Sequence, residues 1–266
     1  MSSAAAATPS TGHGLSRLQV ERQSFVVPLP SVLRSGATSL RVGSVLSPPS
    51  DKEAIAALFP HTFGAPSVHI EAATDGGASS AAAARPLRVG AVLSGGQAPG
   101  GHNVLSGIYD GIKRQHPDSV FLGFLDGPRG LFEGKYVEID DAMMYRYRNM
   151  GGFDAIGSGR DKIETPEQFA GARAWVEKLA LDGVVIIGGD DSNTNGAVLA
   201  EYFKANGCTT RVVGAPKVSQ RHSPSVHSAL ARSCSSLAST HAWCSHPPPF
   251  PHLHTLTHLC HSPTDH

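Results

Sequence analysis

Two adjacent carboxylates, Asp190 and Asp191, stand in the stretch IIGGDDSNTNG, directly after an apolar run. Mg²⁺ in proteins that handle phosphates is held by one or two carboxylates together with phosphate oxygens. The pair therefore predicts a metal-assisted phosphate site. Acidic residues also suit helix N-termini, so a purely structural capping role is the alternative. Capping alone does not account for the two glycines that precede the pair.

A glycine-rich stretch, LSGGQAPGGHN, follows another apolar run. Gly95 and Gly96, with Gly100 and Gly101 after them, would let the backbone approach a ligand and point its N–H groups inward. The helix expected to follow adds partial positive charge at its N-terminus. The stretch predicts a phosphate cradle, although it fits neither G-x-G-x-x-G nor the Walker pattern. A glycine-rich turn without a ligand is the alternative.

A third stretch, GSGRDK, places Arg160 and Lys162 where a further strand is expected to end. Taken singly, Arg160 has the properties of a solvated surface residue. Ligands of parallel α/β sheets bind at the carboxyl ends of the strands, so three such loops would meet at one edge. Their convergence predicts an anion site with metal assistance.

The segments that must position these residues alternate between strand and helix patterns from Arg88 to Lys217. Near-continuous apolar runs, typical of strands covered on both faces, are LRVGAVLS, VFLGFLDG, DGVVIIGG and TRVVGAPK. Between them, Val104, Ile108 and Ile112 have helical spacing, and Thr165 followed by Pro166 predicts a helix N-terminus. The fold class is therefore α/β, with a parallel sheet and right-handed crossovers.

Bulk composition excludes several functions. The chain has 266 residues, 40% of them apolar, and a formal net charge of zero, which argues against a general polyanion or nucleic-acid binder. No apolar run is long enough to cross a bilayer, so no membrane partner is expected. Four cysteines without regular spacing predict no disulfide framework and favour a reducing compartment.

The composition also divides the chain into four parts. Residues 1–14 are small and polar and predict a disordered tail, although the lack of acidic residues also suits a transit peptide. Residues 15–84 form an N-terminal extension that ends in an alanine- and serine-rich linker. Residues 85–217 carry the α/β pattern. Residues 218–266 are rich in serine, histidine and proline and predict a disordered tail.

The motifs LSGGQAPGGHN, GGFDAIGSGRDKI, GGDDSNTN and GAPK, in this order, resemble the pyrophosphate-dependent phosphofructokinase family, and within it the plant-type catalytic (beta) subunit. LSRLQVERQ and LFPHTFGAP upstream are similar to that subunit's N-terminal extension. The resemblance implies a Rossmann-like phosphofructokinase fold, of which this chain holds the donor-binding lobe. It also implies reversible, Mg²⁺-dependent phosphoryl transfer from pyrophosphate to fructose 6-phosphate in the cytoplasm, with alpha and beta subunits as candidate partners.

The resemblance also implies roles for single residues. Gly95 and Gly96 match the loop that holds the phosphoryl donor, and Asp190 matches the Mg²⁺-associated aspartate. Asp191 stands where ATP-using relatives have glycine, so its carboxylate would exclude the α-phosphate of a nucleotide. Lys217 matches a lysine beside the transferred phosphate, where it would offset charge in the transition state. Arg160 matches a basic residue on the donor side.

After Lys217 the chain departs from this family. The family continues with Thr-Ile-Asp-Gly-Asp, whose first aspartate takes the proton from the sugar hydroxyl, whereas this chain reads VSQRH. The departure implies a C-terminally truncated product without the catalytic base or the sugar-phosphate lobe. We therefore expect no turnover, and uncovered apolar surface that promotes aggregation.

The tail itself has two interpretations. Translated intron is the favoured one, because Lys-Val-Ser can be encoded as AAG-GTG-AGC, which reads as a splice donor. The other is a metal site, whose candidate ligands are Cys244, His246, His252, His254 and Cys260. Their spacing matches no zinc module.

Two further functions remain as alternatives to a pyrophosphate-using enzyme. An ATP-dependent phosphofructokinase relative would have glycine at position 191. A non-catalytic subunit fragment would pair with intact subunits.

Overall fold

The computed structural model describes residues 16–34, 38–45, 51–72 and 85–217. The tails predicted at 1–14 and 218–266, the cysteine and histidine ligands proposed there, and most of the linker lie outside the described residues. In chain order the first elements are α1 (Arg17–Ser24), α2 (Ser31–Arg34), β1 (Thr38–Val45), α3 (Lys52–Leu58), β2 (Pro66–Ala72), β3 (Arg88–Leu93) and α4 (Gly101–Gln115). The remaining elements are β4 (Val120–Phe124), α5 (Pro128–Glu133), β5 (Tyr136–Glu138), α6 (Asp141–Tyr147), α7 (Pro166–Lys178), β6 (Gly183–Gly188), α8 (Asp190–Ala205) and β7 (Arg211–Pro216).

A five-stranded sheet with the order β5-β4-β3-β6-β7 forms the centre of the molecule. Strands β3, β4, β6 and β7 are parallel, and β5 pairs antiparallel with β4 at one edge. Central pairs such as Val92 with Ile186 set the register between β3 and β6. The predicted α/β fold with a mostly parallel sheet is confirmed.

Two hydrophobic clusters cover the two faces of this sheet. Because successive side chains of a strand alternate between faces, Val92 joins one cluster while Ala91 and Leu93 join the other. The first cluster includes Phe169 of α7 and Phe203 of α8, and the second is packed by α4 and α6. Both faces are therefore covered by helices, as a parallel sheet requires.

Local capping chemistry explains two of the helix starts. The Thr165 hydroxyl accepts a hydrogen bond from the Gln168 N–H, and the Gln168 side-chain oxygen accepts one from the Thr165 N–H. The two bonds form a capping box. Asp140 likewise accepts from the Met143 N–H at the start of α6. The helix predicted at Thr165 is therefore confirmed.

The predicted buried face of α4 is wrong in part. Val104 is 37% exposed, whereas Leu105 and Tyr109 are buried together with Ile112. The helix begins at Gly101, earlier than the apolar spacing suggested, and His102 at its start is buried as well. The residues that face the sheet are therefore one position later than Val104 and Ile108.

Three element predictions near the strand ends also differ from the structure. No strand precedes GSGRDK, because the described segment 148–164 is irregular and makes only an isolated bridge between Ser94 and Gly159. The expected exit loop GAP belongs to β7, where Pro216 pairs with Gly188. The expected loop DDSNTN is the start of α8, which begins at Asp190. The short strand β5 had no sequence signal.

The described part of the N-terminal extension is joined to the sheet domain through α3 and the turn after it. Ile55 and Phe59 are buried in the first hydrophobic cluster. The Glu201 carboxylate on α8 accepts hydrogen bonds from the backbone N–H groups of His61, at 3.0 Å, and Thr62, at 2.9 Å. Strands β1 and β2 form a separate antiparallel pair. Among the described helices, none has the length and apolar character needed to span a membrane.

Candidate functional site

An open cleft of about 540 Å³ lies where β3, β6 and β7 end. The six residues to which the sequence assigns individual roles all line it: Gly95, Gly96, Arg160, Asp190, Asp191 and Lys217. The structure therefore brings these residues together, and their individual roles stay predictions. The other lining residues are Ser94, Asp161, Lys162, Gly189, Ser192 and Asn195.

The glycine-rich loop after β3 forms one wall of the cleft. Gly95 has φ of 88°, a left-handed conformation that favours glycine, and its N–H donates to the Gly159 carbonyl at 2.8 Å. A methyl group at Gly96 would lie 3.1 Å from Nη2 of Arg160. The absence of side chains at 95 and 96 therefore lets the loop turn and lets the guanidinium lie against it.

The N-terminus of α8 forms the opposite wall. Gly189 is the N-cap and makes no side-chain capping bond, and Asp190 and Asp191 are exposed in the first turn. Neither aspartate is itself the N-cap residue, and both lie in the first turn of the helix, where acidic residues are also favourable without a ligand. Their negative charge beside the positive end of the helix dipole is favourable. The wall thus presents two carboxylates and a helix N-terminus to the same space.

Tight backbone packing fixes the junction between β6 and α8. The Asn193 side-chain amide donates to the carbonyls of Gly188, at 2.7 Å, and Gly189, at 2.8 Å. A methyl group at Gly188 would lie 2.6 Å from the Ser192 hydroxyl and 2.9 Å from the Ser94 carbonyl oxygen. Gly188 is therefore required for space, because the first turn of α8 passes directly over the strand end.

Lys217 follows β7 and reaches across the cleft floor to the glycine-rich loop. Its N–H donates to the Gly188 carbonyl at 2.7 Å, and its ammonium donates to the Gly96 carbonyl. The ammonium also lies 5.3 Å from the centre of the Phe153 ring. Burial, reinforced by the nearby Arg160 charge, lowers the pKa of Lys217 below its ordinary value. An anion in the cleft would relieve that repulsion.

The donor set of the cleft fits Mg²⁺ bound together with a phosphate ligand. Over the described residues, no three His, Cys, Asp or Glu side chains group closely enough to hold a metal by themselves. Mg²⁺ commonly takes only one or two protein carboxylates and completes its shell with phosphate oxygens and water. Asp190 and Asp191 supply that number, next to a loop and cations suited to phosphate.

Several residues that shape the cleft were not singled out from the sequence. Asn195 is buried and binds both the N–H and the carbonyl of Ile163, at 3.0 Å and 2.7 Å, which anchors the segment after Arg160. Its spacing of four from Asp191 on a helix was a usable signal. Phe153 packs against Gly101, where a methyl group would lie 2.8 Å from ring atom Cε2. No sequence pattern pointed to that contact.

Comparison with known proteins gives one family and several relatives. The family model described as phosphofructokinase matches residues 88–224. The chain is 47% identical over 209 residues to pyrophosphate--fructose 6-phosphate 1-phosphotransferase of Treponema pallidum, covering 76% of this chain and 36% of that protein. It is 49% identical over 202 residues to the enzyme's subunit beta 1 from Arabidopsis thaliana, covering 76% of this chain and 35% of that one.

The subunit alpha of the same enzyme from Solanum tuberosum is also similar, at 42% identity over 206 residues, covering 76% of this chain and 33% of that one. The chain thus spans about a third of the length of these relatives.

Proposed function

Because the chain belongs to the phosphofructokinase family, we propose that its cleft binds Mg²⁺-pyrophosphate as the donor site of a pyrophosphate-dependent phosphofructokinase. The reaction of the whole enzyme is attack of the 1-hydroxyl oxygen of fructose 6-phosphate on one phosphorus of pyrophosphate. The bridging P–O bond breaks, inorganic phosphate leaves, and the hydroxyl proton goes to a base. The similarity to pyrophosphate-using relatives supports this donor.

Asp191 is the observation that carries the proposal. It is exposed in the first turn of α8, beside Asp190, and both line the cleft. A nucleotide extending past Asp190 would bring its α-phosphate against this second carboxylate. Juxtaposing like charges at a binding site costs several kcal/mol. Pyrophosphate has no α-phosphate to place there, so the site favours the smaller donor.

The other cleft residues take complementary roles in this proposal. Gly95 and Gly96 offer backbone close to the pyrophosphate, and Lys217 and Arg160 offset its charge. Asp190 holds the Mg²⁺, which when bound neutralises part of the donor's charge. Lys217 is well placed for the transferred group because its side chain extends from the end of β7 and its ammonium donates to the Gly96 carbonyl in the glycine-rich loop.

This chain is proposed to bind the donor without transferring it. The residues after Lys217 read VSQRH, and the first acidic residue after Glu201 is Asp265. No aspartate therefore follows Lys217 closely to take the proton of the sugar hydroxyl. Phosphoryl transfer depends on positioning the acceptor as well as the donor. We expect binding of Mg²⁺-pyrophosphate and no fructose 1,6-bisphosphate formation.

The finer assignment is to the plant-type beta subunit, in the cytoplasm, with alpha and beta subunits as partners. The identity to the Arabidopsis thaliana subunit beta 1 exceeds the identity to the Solanum tuberosum subunit alpha, which supports the beta assignment. The paired aspartates Asp190 and Asp191 support a donor-binding rather than a regulatory role.

Titration calorimetry of the full chain with Mg²⁺-pyrophosphate and Mg²⁺-ATP tests the proposal. We expect pyrophosphate to bind about a hundredfold more tightly than ATP, and Asp191→Gly to remove most of that preference, because the repulsive carboxylate is gone. Glu167→Gly is the matched control, since Glu167 is also acidic in the first turn of a helix but does not line the cleft. Equal affinity of the unmodified chain for ATP and pyrophosphate would contradict the proposal.

A further inference from the structure

We propose that His102 is a positioning residue for the anion cleft: its unprotonated Nε2 holds the segment 153–160, and protonation of this nitrogen releases that segment. The inference rests on the proposed function for its effect on pyrophosphate, and on geometry alone for its effect on the segment. His102 lies outside the cleft lining and is the second residue of α4.

The contacts of His102 join α4 to the irregular segment that leads to Arg160. The imidazole is 1% exposed, and its Nε2 accepts hydrogen bonds from the N–H groups of Asp154, at 3.1 Å, and Ala155, at 3.0 Å. The His102 backbone N–H donates to the Gly152 carbonyl at 2.9 Å. One residue thus fixes three consecutive peptide units of a segment that has no regular secondary structure.

The hydrogen bonds at Nε2 determine which nitrogen carries the proton. A nitrogen that accepts from two N–H groups has no proton of its own, so the neutral ring is protonated at Nδ1. Nδ1 is buried and has no hydrogen-bond partner among the described residues. An orphaned buried donor is unfavourable. The cost of the unpaired Nδ1–H is therefore offset by the two hydrogen bonds that Nε2 accepts.

The segment that His102 holds supports two of the basic residues that line the cleft, Lys217 and Arg160. Phe153 directly precedes Asp154, and its ring lies 5.3 Å from the Lys217 ammonium. The same segment runs on to Gly159, which accepts from the Gly95 N–H, and then to Arg160. Loss of the two bonds to Nε2 would leave two part-buried N–H groups without this acceptor between these points. Lys217 and Arg160 would then lose part of their common support.

A competing partner for the same nitrogen makes this support sensitive to pH. Asp154 Oδ1 lies 3.0 Å from Nε2, and the Asp154 side chain is 70% exposed. The other titratable side chain recorded against the ring is Tyr147, with ring centres 4.9 Å apart. A protonated Nε2 would donate to the Asp154 carboxylate and could no longer accept from the backbone. Burial lowers the pKa of His102, against the opposing effect of Asp154, so the accepting form prevails at neutral pH.

Two substitutions in the full chain distinguish the ability of residue 102 to accept hydrogen bonds from its ability to gain a proton. His102→Gln places an amide oxygen near the Nε2 position, which can accept but does not titrate in this range. His102→Leu removes the acceptor at similar volume. We expect hydrogen exchange at the Asp154 and Ala155 amides to stay slow in the Gln variant and to become fast in the Leu variant. Inorganic pyrophosphate with Mg²⁺ should bind about tenfold more weakly to the Leu variant, and close to normally to the Gln variant.

The pH dependence gives a readout that a purely structural role would not change. Affinity for Mg²⁺-pyrophosphate is measured from pH 8 to pH 5 for the unmodified chain and for His102→Gln, and the ratio of the two cancels the protonation of the ligand. We expect a constant ratio near pH 8 and a progressive loss for the unmodified chain as the pH falls below the ordinary histidine pKa of about 6.5. Asp154→Asn should move that loss to lower pH, because the carboxylate that favours protonation is removed.

The outcomes distinguish this inference from the proposed function. Amides in the Leu variant that stay as protected as in the unmodified chain would overturn it, and so would a ratio that is flat down to pH 5. If no variant binds pyrophosphate, the proposed function fails, and the pH dependence of exchange at Asp154 and Ala155 still decides the role of His102. If the Leu variant does not fold, the comparison of the unmodified chain with the Gln and Asn variants decides it.

Discussion

The ends of β3 and β6 look alike in sequence and differ in structure. A pair of glycines lies at the end of each strand, and Gly95, Gly96 and Gly189 line the same cleft. After β3, Gly95 adopts φ of 88° in an open loop. Gly188, the last residue of β6, has no positive φ, but it is crowded by Ser192 and the Ser94 carbonyl. Gly95 is needed for its left-handed backbone conformation, and Gly188 is needed for the space that its missing side chain leaves to the first turn of α8.

The largest effect on stability should come from the crowded glycine. Gly188→Ala would place a methyl group 2.9 Å from the Ser94 carbonyl oxygen, so either β3 or α8 must move. We expect the free energy of unfolding to fall by about 3 kcal/mol in urea denaturation. Gly189→Ala is the matched control, because nothing lies within 4 Å of a methyl group there, and it should cost about 1 kcal/mol or less. Equal losses at the two positions would refute the steric account.

A smaller effect is expected at the conformational glycine. Gly95→Ala meets its nearest neighbours at 3.5 Å and 3.7 Å, which is ordinary contact, so the cost comes from φ alone. A side chain in the left-handed region costs roughly 1–2 kcal/mol. Thermal unfolding checks this against Gly96→Ala, which lacks a positive φ and contacts only the movable Arg160 side chain. A Gly96 variant that is less stable than the Gly95 variant would contradict the distinction.

The smallest effect on stability should come from Lys217→Met, which should nevertheless weaken binding of Mg²⁺-pyrophosphate strongly. The lost hydrogen bond to Gly96 and the relieved burial of charge oppose one another, so the free energy of unfolding should change by about 1 kcal/mol or less. Calorimetry with pyrophosphate measures the binding, and urea denaturation the stability. A variant that binds normally would show that the cleft does not use this cation.

The lowered pKa of Lys217 also predicts the direction in which stability depends on pH. Between its folded pKa and the ordinary value, the unfolded chain binds more protons than the folded one, so stability from this group rises with pH there. Pyrophosphate affinity should fall over the same window as the ammonium loses its charge. Lys217→Met should show neither trend, and a parallel pH trend in that variant would assign the titration to another group.

Local chemistry and strand-end geometry were predictable from the sequence. Thr165 could be assigned as a cap because the capping bond is made within one turn. Gly95, Asp190 and Lys217 could be grouped because parallel strands end at one edge, whereas Arg160 reaches the cleft although no strand precedes it. Contacts of the backbone with distant side chains could not be predicted, and the two N–H groups held by His102 are an example.

Hydrophobic spacing predicted the wrong buried residue where two adjacent positions were both apolar. Val104 and Leu105 are both apolar, so spacing alone could not choose between two adjacent faces of α4, and Leu105 is the one that is buried. The segment before Arg160 was expected to end a strand. It is instead held irregularly, by bonds such as that from Asp126 N–H to the Ile156 carbonyl at 2.9 Å.

The docking of α3 has a practical consequence for anyone dissecting this molecule. The phosphofructokinase family model begins to match at residue 88, yet Ile55 and Phe59 belong to the hydrophobic cluster that also holds Phe203 of α8. A recombinant fragment cut at that homology boundary would open a hole beside Phe203 and leave the Glu201 carboxylate without the amides that solvate it. The smallest piece that can fold as it does here is therefore larger than the piece that the family model matches.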